Sequence, residues 1–512
     1  MKAAQRLLEY AAGSGVSACF ANPGTSEMHL VAALDSAPAI RAILCLFEGV
    51  ATGAADGFGR MARQPALTLL HLGPGLANGI ANLHNAYRAR TPILSLIGEH
   101  ATYHRANNPP LASDIAALAR PVSAWLKTAE TPADLIVLAA EGLEAARRNG
   151  PAALILPADV AWSDAEPRAA GPPPTAAPGD QWEQSVDAVA KTLGPDAALL
   201  LGGRILTPRA SAAAQRIAEK TGAKVLVETF PARIARGGDS APLKRLPYLT
   251  EMAVGLLADV KSLVLAGAAD PVAFFALPGR ATRLSPENVR TIEYVRAGSN
   301  PEAALEALAE AVGAKDDCGR ADSPAALPNT DTAIDPYGFA QVIAATLPEH
   351  AIVSDESNTL GLYAFDAAAG APAHDWLTLT GGAIGQGLPL ATGAAVACPD
   401  RRVLALEADG SALYTIQSLW TQAREGLNVT NVILNNGAYA ILRLEMMRVG
   451  ITEQTQTAAN LFDLRRPSID FTALAAGFGV PATRVSTLHE LAQALRRSFA
   501  TPGPALIEVV FA

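Results

Sequence analysis

An aspartate and an asparagine stand at the ends of two apolar runs joined by one helical stretch. Val403-Leu404-Ala405-Leu406-Glu407-Ala408 leads into Asp409-Gly410-Ser411, and Val429 to Leu434 leads into Asn435-Asn436-Gly437. Between them a helical pattern over Ala412 to Glu425 stops at Gly426, a residue suited to ending a helix. Ligands of open α/β sheets bind outside the carboxyl ends of the strands. Gly410 and Ser411 open the helix, so their N–H groups suit a phosphate, which the helix dipole also favours. One carboxylate, one amide oxygen and a nearby carbonyl are hard oxygen ligands, and Mg2+ prefers such ligands when a polyphosphate completes its octahedron.

Two groups earlier in the chain can handle protons. Leu44-Cys45-Leu46-Phe47 delivers Glu48 to a small-residue helix start, Gly49-Val50-Ala51-Thr52-Gly53-Ala54-Ala55-Asp56-Gly57-Phe58-Gly59-Arg60. Apolar Phe47 and Val50 disfavour a bare carboxylate and suit one that shares a proton. His71 follows the apolar run Ala66 to Leu70 and precedes a Gly-rich loop, Leu72-Gly73-Pro74-Gly75-Leu76-Ala77-Asn78-Gly79.

These groups need a scaffold of buried strands, and the composition supplies one. Of 512 residues, 50% are hydrophobic and only 17% charged, so global disorder is excluded. The aliphatic surplus suits helices packed on buried parallel strands. A net charge of −9, with both signs mixed along the chain, argues against a nucleic-acid partner. The four cysteines lie far apart with no CxxC pair, which points to a reducing cytosol. The opening residues read as an amphipathic helix rather than an export signal. The longest apolar runs, such as Ala198 to Leu201 and Leu263 to Ala266, are strand-length, so no membrane span is expected.

Pro-rich sequence at about 163–180 and Asp-, Ser- and Pro-rich sequence at about 314–336 divide the chain. The expected domains are residues 1–165, 181–313 and 336–512. Strand-like runs at 42–47, 66–70 and 93–97, at 197–201, 224–227 and 262–265, and at 352–353, 403–406, 429–434 and 505–510 alternate with helical patterns. That alternation predicts an α/β protein of three doubly wound parallel-sheet domains.

The strand–Asp-Gly–helix–strand–Asn-Asn pattern resembles the cofactor motif of thiamine-diphosphate enzymes. Carried over by position, Asp409, Asn436 and the Ala438 carbonyl would hold Mg2+. Ala408 departs from the usual Gly-Asp-Gly start. The Glu48 region is similar to that family's glutamate, which bonds the aminopyrimidine and promotes the tautomer that activates the thiazolium. Asn22-Pro23-Gly24-Thr25-Ser26-Glu27 and the stretch from His71 to Gly79 resemble loops of benzoylformate decarboxylase and acetolactate-synthase-like relatives. In Gly381-Gly382-Ala383-Ile384-Gly385-Gln386-Gly387 the resemblance assigns Gly382 to the cofactor's amino group and Ile384 to the wedge that bends it. It also implies Asn358, Thr359, Gly410, Ser411 and Tyr439 around the cofactor, with domains named pyrimidine-binding, central and diphosphate-binding in chain order.

By the same resemblance His71 is an acid/base or orienting group and Thr25 replaces a substrate-contacting serine. Phe274 stands where the decarboxylase has a second histidine, a departure that puts simple decarboxylation in question and favours carboligation. His100 and His104 can compensate for that histidine, and Phe274, Phe275, Tyr439, Leu442 and Met446 can form an apolar substrate pocket. The chain ends just after the run 505–510, so no covering extension is expected. The expected function is cleavage or formation of C–C bonds on a small 2-oxo acid, with thiamine diphosphate and Mg2+, in a cytoplasmic homodimer or homotetramer whose subunits share the cofactor. Alternatives are acetolactate synthase proper, an acyl-CoA lyase and a non-catalytic homologue. The absence of a clear dinucleotide motif argues against FAD and against a Rossmann-type oxidoreductase.

Overall fold

The computed structural model describes residues 1–166, 181–315, 327, 332–453 and 455–511. Most of the two expected linkers lies outside the described residues.

Six strands, β1 (Ala18–Ala21), β2 (Arg41–Leu44), β3 (Ala66–Leu70), β4 (Ile93–Glu99), β5 (Trp125–Thr128) and β6 (Ala152–Pro157), form a parallel sheet in the order β2-β1-β3-β4-β6-β5. The next six are β7 (Ala197–Leu201), β8 (Lys224–Val227), β9 (Arg233–Arg236), β10 (Lys244–Arg245), β11 (Ser262–Ala266) and β12 (Arg290–Val295). Five of them make the second sheet, β10-β8-β7-β11-β12. The third sheet uses β13 (Ile352–Glu356), β14 (His374–Thr378), β15 (Val403–Ala408), β16 (Val429–Asn435), β17 (Ala482–Val485) and β18 (Ala505–Val510), in the order β17-β18-β16-β15-β13-β14-β9. Central strands such as β3, β6, β7 and β15 are continuous buried runs, as parallel sheets covered on both faces require.

The three expected parallel-sheet layers are therefore present, with one addition. β9 leaves the middle of the chain and pairs antiparallel with β14, Arg236 opposite His374. Its pattern Arg233-Ile234-Ala235-Arg236 carries too little periodicity to have announced this.

Six helices position the site: α1 (Glu48–Ala62), α2 (Leu72–Ala89), α3 (Gly387–Ala397), α4 (Asp409–Thr415), α5 (Ser418–Glu425) and α6 (Ala440–Arg448). The Gly-rich segment after His71, expected as a loop, is the first turns of α2. The single helix expected over Ala412 to Glu425 is α4 and α5, interrupted at Ile416-Gln417. α1 and α3 cross at backbone contact. A methyl group on Gly57 would lie 1.9 Å from the Leu390 carbonyl oxygen, and one on Gly393 would lie 1.7 Å from that of Ala54. Small residues let the first and third regions share one apolar core, in which Phe20, Val50 and Phe58 meet Leu388, Ala405 and Ile433. A second shared core joins Leu199 and Val264 to Phe339, Trp376 and Ile507.

A buried charge pins the junction. Arg60 forks onto Asp56 at 2.6 and 2.8 Å, and donates to the carbonyls of Ala232 (3.1 Å) and Thr378 (2.8 Å). One guanidinium thus ties all three regions with satisfied donors, which a buried ion pair needs. Among the described residues no helix is long and apolar enough to cross a membrane.

Candidate active site

The carboxyl edge of the third sheet brings Asp409 and Asn436 together. Ala408, where the family motif has glycine, takes an ordinary extended conformation (φ −76°, ψ 147°), so its methyl introduces no strain. Asp409 is 3% exposed, and its carboxylate bridges two strand ends. Oδ1 accepts Gly410 N–H at 2.8 Å, and Oδ2 accepts Asn436 N–H at 3.1 Å and Gly437 N–H at 2.7 Å. Burial raises this carboxyl above its ordinary range, against those backbone donors. A buried carboxylate in that condition gains from a cation. Asn436 Oδ1 accepts Ala438 N–H at 3.0 Å, across a turn in which Gly437 has φ 63°. Among the described residues no three His, Cys, Asp or Glu side chains group to hold a metal unaided. A metal here would therefore take oxygens from a ligand as well, and the donor set fits Mg2+ beside phosphates.

The surrounding groups converge on the same edge. Tyr439 lays its ring over Gly410, where a methyl would lie 2.4 Å from the ring carbon Cε1. Asn358 takes a left-handed conformation (φ 50°), and its Nδ2 reaches Ser411 Oγ at 3.3 Å, with Thr359 following half-buried.

The loop from Gly381 to Gly387 is held from beneath by a carboxyl that sequence reasoning missed. Glu356, fully enclosed, accepts the N–H groups of Gly385 (2.7 Å), Gln386 (2.7 Å) and Gly387 (2.6 Å). Burial nevertheless pushes its carboxyl up to about 7. Glu407 beside it is raised well above the ordinary range by burial and by the Glu356 charge. Three donors face Glu356, so the negative charge of this pair sits there and Glu407 stays protonated.

Helix α2 links that loop to the first region within one chain. Asn78, Asn82 and Asn85 lie on one face of α2 at helical spacing. Asn78 Nδ2 donates to Glu48 Oε2 at 3.0 Å. Asn82 Nδ2 bonds Gly49 O (2.8 Å) and Gly385 O (3.2 Å), and Asn85 pairs with the backbone of Ala383 through N–H and carbonyl (3.1 and 2.8 Å). That asparagine stripe stands in the sequence at helical spacing, and only Asn78 lies within the His71–Gly79 stretch. Glu48 opens α1 at 7% exposure. A methyl on Gly75 would lie 3.2 Å from both Glu48 Oε1 and His71 Cβ, so the two proton-handling groups flank one glycine.

His71 follows β3 and contacts the turn after β1, with Nδ1 2.9 Å from Glu27 Oε2 and 3.0 Å from Ser26 Oγ. Thr25 itself stands exposed at the start of that turn. Phe274 packs on Gly382 (φ 74°), where a methyl would meet its ring at 2.3 Å, and Ile384 lies half-buried beyond. Phe274 also gathers Phe275, Tyr248 and Phe230, with ring centroids at 5.1, 5.5 and 5.9 Å. Tyr248 contacts Glu445 of α6 at 3.4 Å. The same helix carries exposed Leu442 and half-buried Met446. His100, at the end of β4, stacks edge-on with His104 at 5.7 Å, and its buried Nε2 has no partner among the described residues.

Residues 1–118 match the family described as thiamine pyrophosphate enzyme, N-terminal TPP binding domain, and residues 360–509 match its C-terminal TPP binding domain. The chain is 52% identical over 515 residues to a Mycobacterium tuberculosis protein named "Putative acetolactate synthase large subunit IlvX", covering 100% of this chain and 99% of that one. It is 28% identical to benzoylformate decarboxylase of Pseudomonas aeruginosa, over 97% of this chain and 96% of that one. Among solved structures, the thiamine diphosphate-dependent 4-hydroxybenzoylformate decarboxylase of Rhodococcus jostii RHA1 superposes with a TM-score of 0.84 at 25% identity, covering 100% of this chain and 99% of that one.

Proposed function

Since the chain belongs to the thiamine-diphosphate-dependent enzyme family, we propose that it breaks or makes the C–C bond beside the carbonyl of a small 2-oxo acid, with thiamine diphosphate and Mg2+ as cofactors. The observation that carries this reading is the pairing of Asp409 with the Asn436 turn at adjacent strand ends, in a chain that also presents buried Glu48 beside His71. Thiamine diphosphate supplies a carbon nucleophile and an electron sink for that bond.

The chain's own groups divide the remaining work. Asp409, the Asn436 amide oxygen and the Ala438 carbonyl hold the metal. Gly410, Ser411, Asn358 and Thr359 meet the diphosphate, and Gly382, Ile384 and Tyr439 fix the cofactor's middle. Asn78 occupies Glu48 Oε2, leaving Oε1 to hold or give up a proton where the pyrimidine would bind. His71 moves protons at the substrate, with Thr25 and His100 near the same sheet edge. Phe274, Phe275, Leu442 and Met446 exclude water around the acyl group.

A second copy of the chain completes the assembly, as a dimer or tetramer in the cytoplasm. α6 supports this: none of its residues is buried, and Leu442 and Met447, with Val449 and Ile451 beyond, leave an apolar face open. Acetolactate formation from pyruvate is the second reading, favoured by the name of the 52%-identical relative.

One experiment separates these readings. The protein, with both cofactors added, is given pyruvate, benzoylformate and longer 2-oxo acids, and CO2, aldehyde and hydroxyketone are measured separately, with Glu48→Gln in parallel. Turnover of at least one acid that Glu48→Gln abolishes supports the proposal, and acetolactate as the dominant product selects the second reading. No product from any acid, or undiminished turnover in Glu48→Gln, overturns it in favour of a non-catalytic cofactor-binding protein.

A further inference from the structure

The imidazole of His71 is held by a fully buried carboxylate on a neighbouring strand's turn. Glu27 has 0% exposure, and its Oε2 accepts Gly24 N–H at 2.9 Å while Oε1 accepts the Ser26 hydroxyl at 2.7 Å. His71 Nδ1 completes the set at 2.9 Å from Oε2. An ionised carboxylate only accepts hydrogen bonds, and the Ser26 hydrogen is already directed at Oε1, so Nδ1 must carry the proton. That leaves Nε2 as the one ring nitrogen free to exchange a proton elsewhere.

The backbone is built around this contact. A methyl on Gly98 of β4 would lie 1.6 Å from Glu27 Oε1, and one on Gly24 would lie 2.2 Å from the imidazole Cγ. Leu72, the residue after His71, is buried with φ 53°, a left-handed conformation that strains a branched side chain. Two glycines and one strained leucine thus set where the ring lies. Glu48, the other carboxylate near His71, is occupied at Oε2 by Asn78 and is separated from the ring by Gly75.

We propose that Glu27 is the positioning residue for His71. It fixes the Nδ1–H form, presents Nε2 to the substrate, and keeps its own charge while a proton passes between Nε2 and the reacting acyl group. In one direction imidazolium gives up its Nε2 proton and becomes neutral imidazole; in the other it regains that proton from substrate or water. Glu27 carries no proton in either step. This rests on the 2-oxo acid reading for its kinetics but not for its geometry.

The test therefore has one arm that needs no substrate. In protein carrying both cofactors and 15N-labelled histidine, with His71→Gln assigning the signal, the His71 resonances should show a protonated Nδ1. In Glu27→Gln, whose amide can donate to Nδ1, they should move to the Nε2–H form. In the turnover arm Glu27→Gln should lower kcat by about 10- to 100-fold, the range for groups that orient a catalytic ligand, with KM and thiamine diphosphate affinity within about threefold of the parent. An unprotonated Nδ1 in the parent overturns the proposal even if Glu27→Gln fails to fold, and so does Glu27→Gln with parental kcat. If no 2-oxo acid is turned over, the functional reading fails while the resonances still decide the role of Glu27.

Discussion

Exchanging Glu356 for glutamine replaces one oxygen by an NH2 group where three backbone N–H groups converge. Oε1 serves Gly385, and Oε2 serves Gln386 and Gly387. Glutamine offers one oxygen, so at least one of these buried donors faces another donor. A hydrogen bond to a charged acceptor is worth about 1.5–3 kcal/mol and an unpaired buried N–H costs about 1–3 kcal/mol, so the loop loses roughly 2–4 kcal/mol of its hold. If the loop must take this form to clasp the cofactor, thiamine diphosphate affinity falls about 30- to 1,000-fold at ~1.4 kcal/mol per decade. Titration calorimetry with Mg2+ at about pH 8, above the Glu356 midpoint of about 7, gives the full effect because the carboxylate is then charged. The adjacent Glu407 is the control. It is already neutral, so Glu407→Gln should change affinity by less than about threefold. Equal affinities in Glu356→Gln and the parent, with equal urea midpoints, would falsify the idea that this carboxylate holds the loop.

Three further outcomes are expected. Asp409→Ala should remove Mg2+-dependent thiamine diphosphate binding by more than about 100-fold, since losing a ligand exceeds the effect of outer groups; calorimetry showing parental affinity refutes the metal assignment. Gly393→Ala pushes a methyl to 1.7 Å from the Ala54 carbonyl. Overpacking of backbone against backbone should lower stability by about 1–3 kcal/mol or more, and an unmoved urea midpoint would show that α1 and α3 separate freely. Glu228, half-buried with its carboxyl enclosed beside Gly203 N–H and Arg90, has that carboxyl raised from 4.5 to about 8 by desolvation. The folded state keeps a proton that the unfolded chain releases, so this stabilisation is complete below pH 4.5 and lost as pH rises through about 8. The span corresponds to several kcal/mol, roughly 3–5, at 1.36 kcal/mol per pH unit. Glu228→Gln should flatten the stability curve across that window, and an unchanged slope in urea titrations rejects the burial argument.

Legibility in the sequence followed the range over which each interaction acts. The strands that carry the site, from Ala66–Leu70 to Ala505–Val510, are buried on both faces and read directly as apolar runs. Asp409 and Asn436 were readable because each ends such a run, and their meeting follows from one crossover. β5, β9, β10 and β17 are short or edge strands whose patterns do not alternate, and they were missed; β1, β6, β12 and β14 were missed as well, although β1, β6 and β14 are buried throughout. Glu27 ends the Asn22–Glu27 loop and Glu356 lies two residues before Asn358, yet their roles depend on contacts with His71 and with Gly385–Gly387 that no local spacing reveals. The break between α4 and α5 has no Gly or Pro to mark it.

β9 carries a consequence for how separable the three regions are. A bare sheet edge is a template for pairing with other chains, and on β14 that edge is covered by a strand made much earlier in the sequence. The third sheet is therefore not a transferable module. A fragment cut in the second linker would leave β14 exposed and prone to stick to its copies, whereas one that also carries residues 233–236 would not. During synthesis the cover is already waiting when β14 emerges, and exchange of the third region between relatives must bring this strand along or replace it.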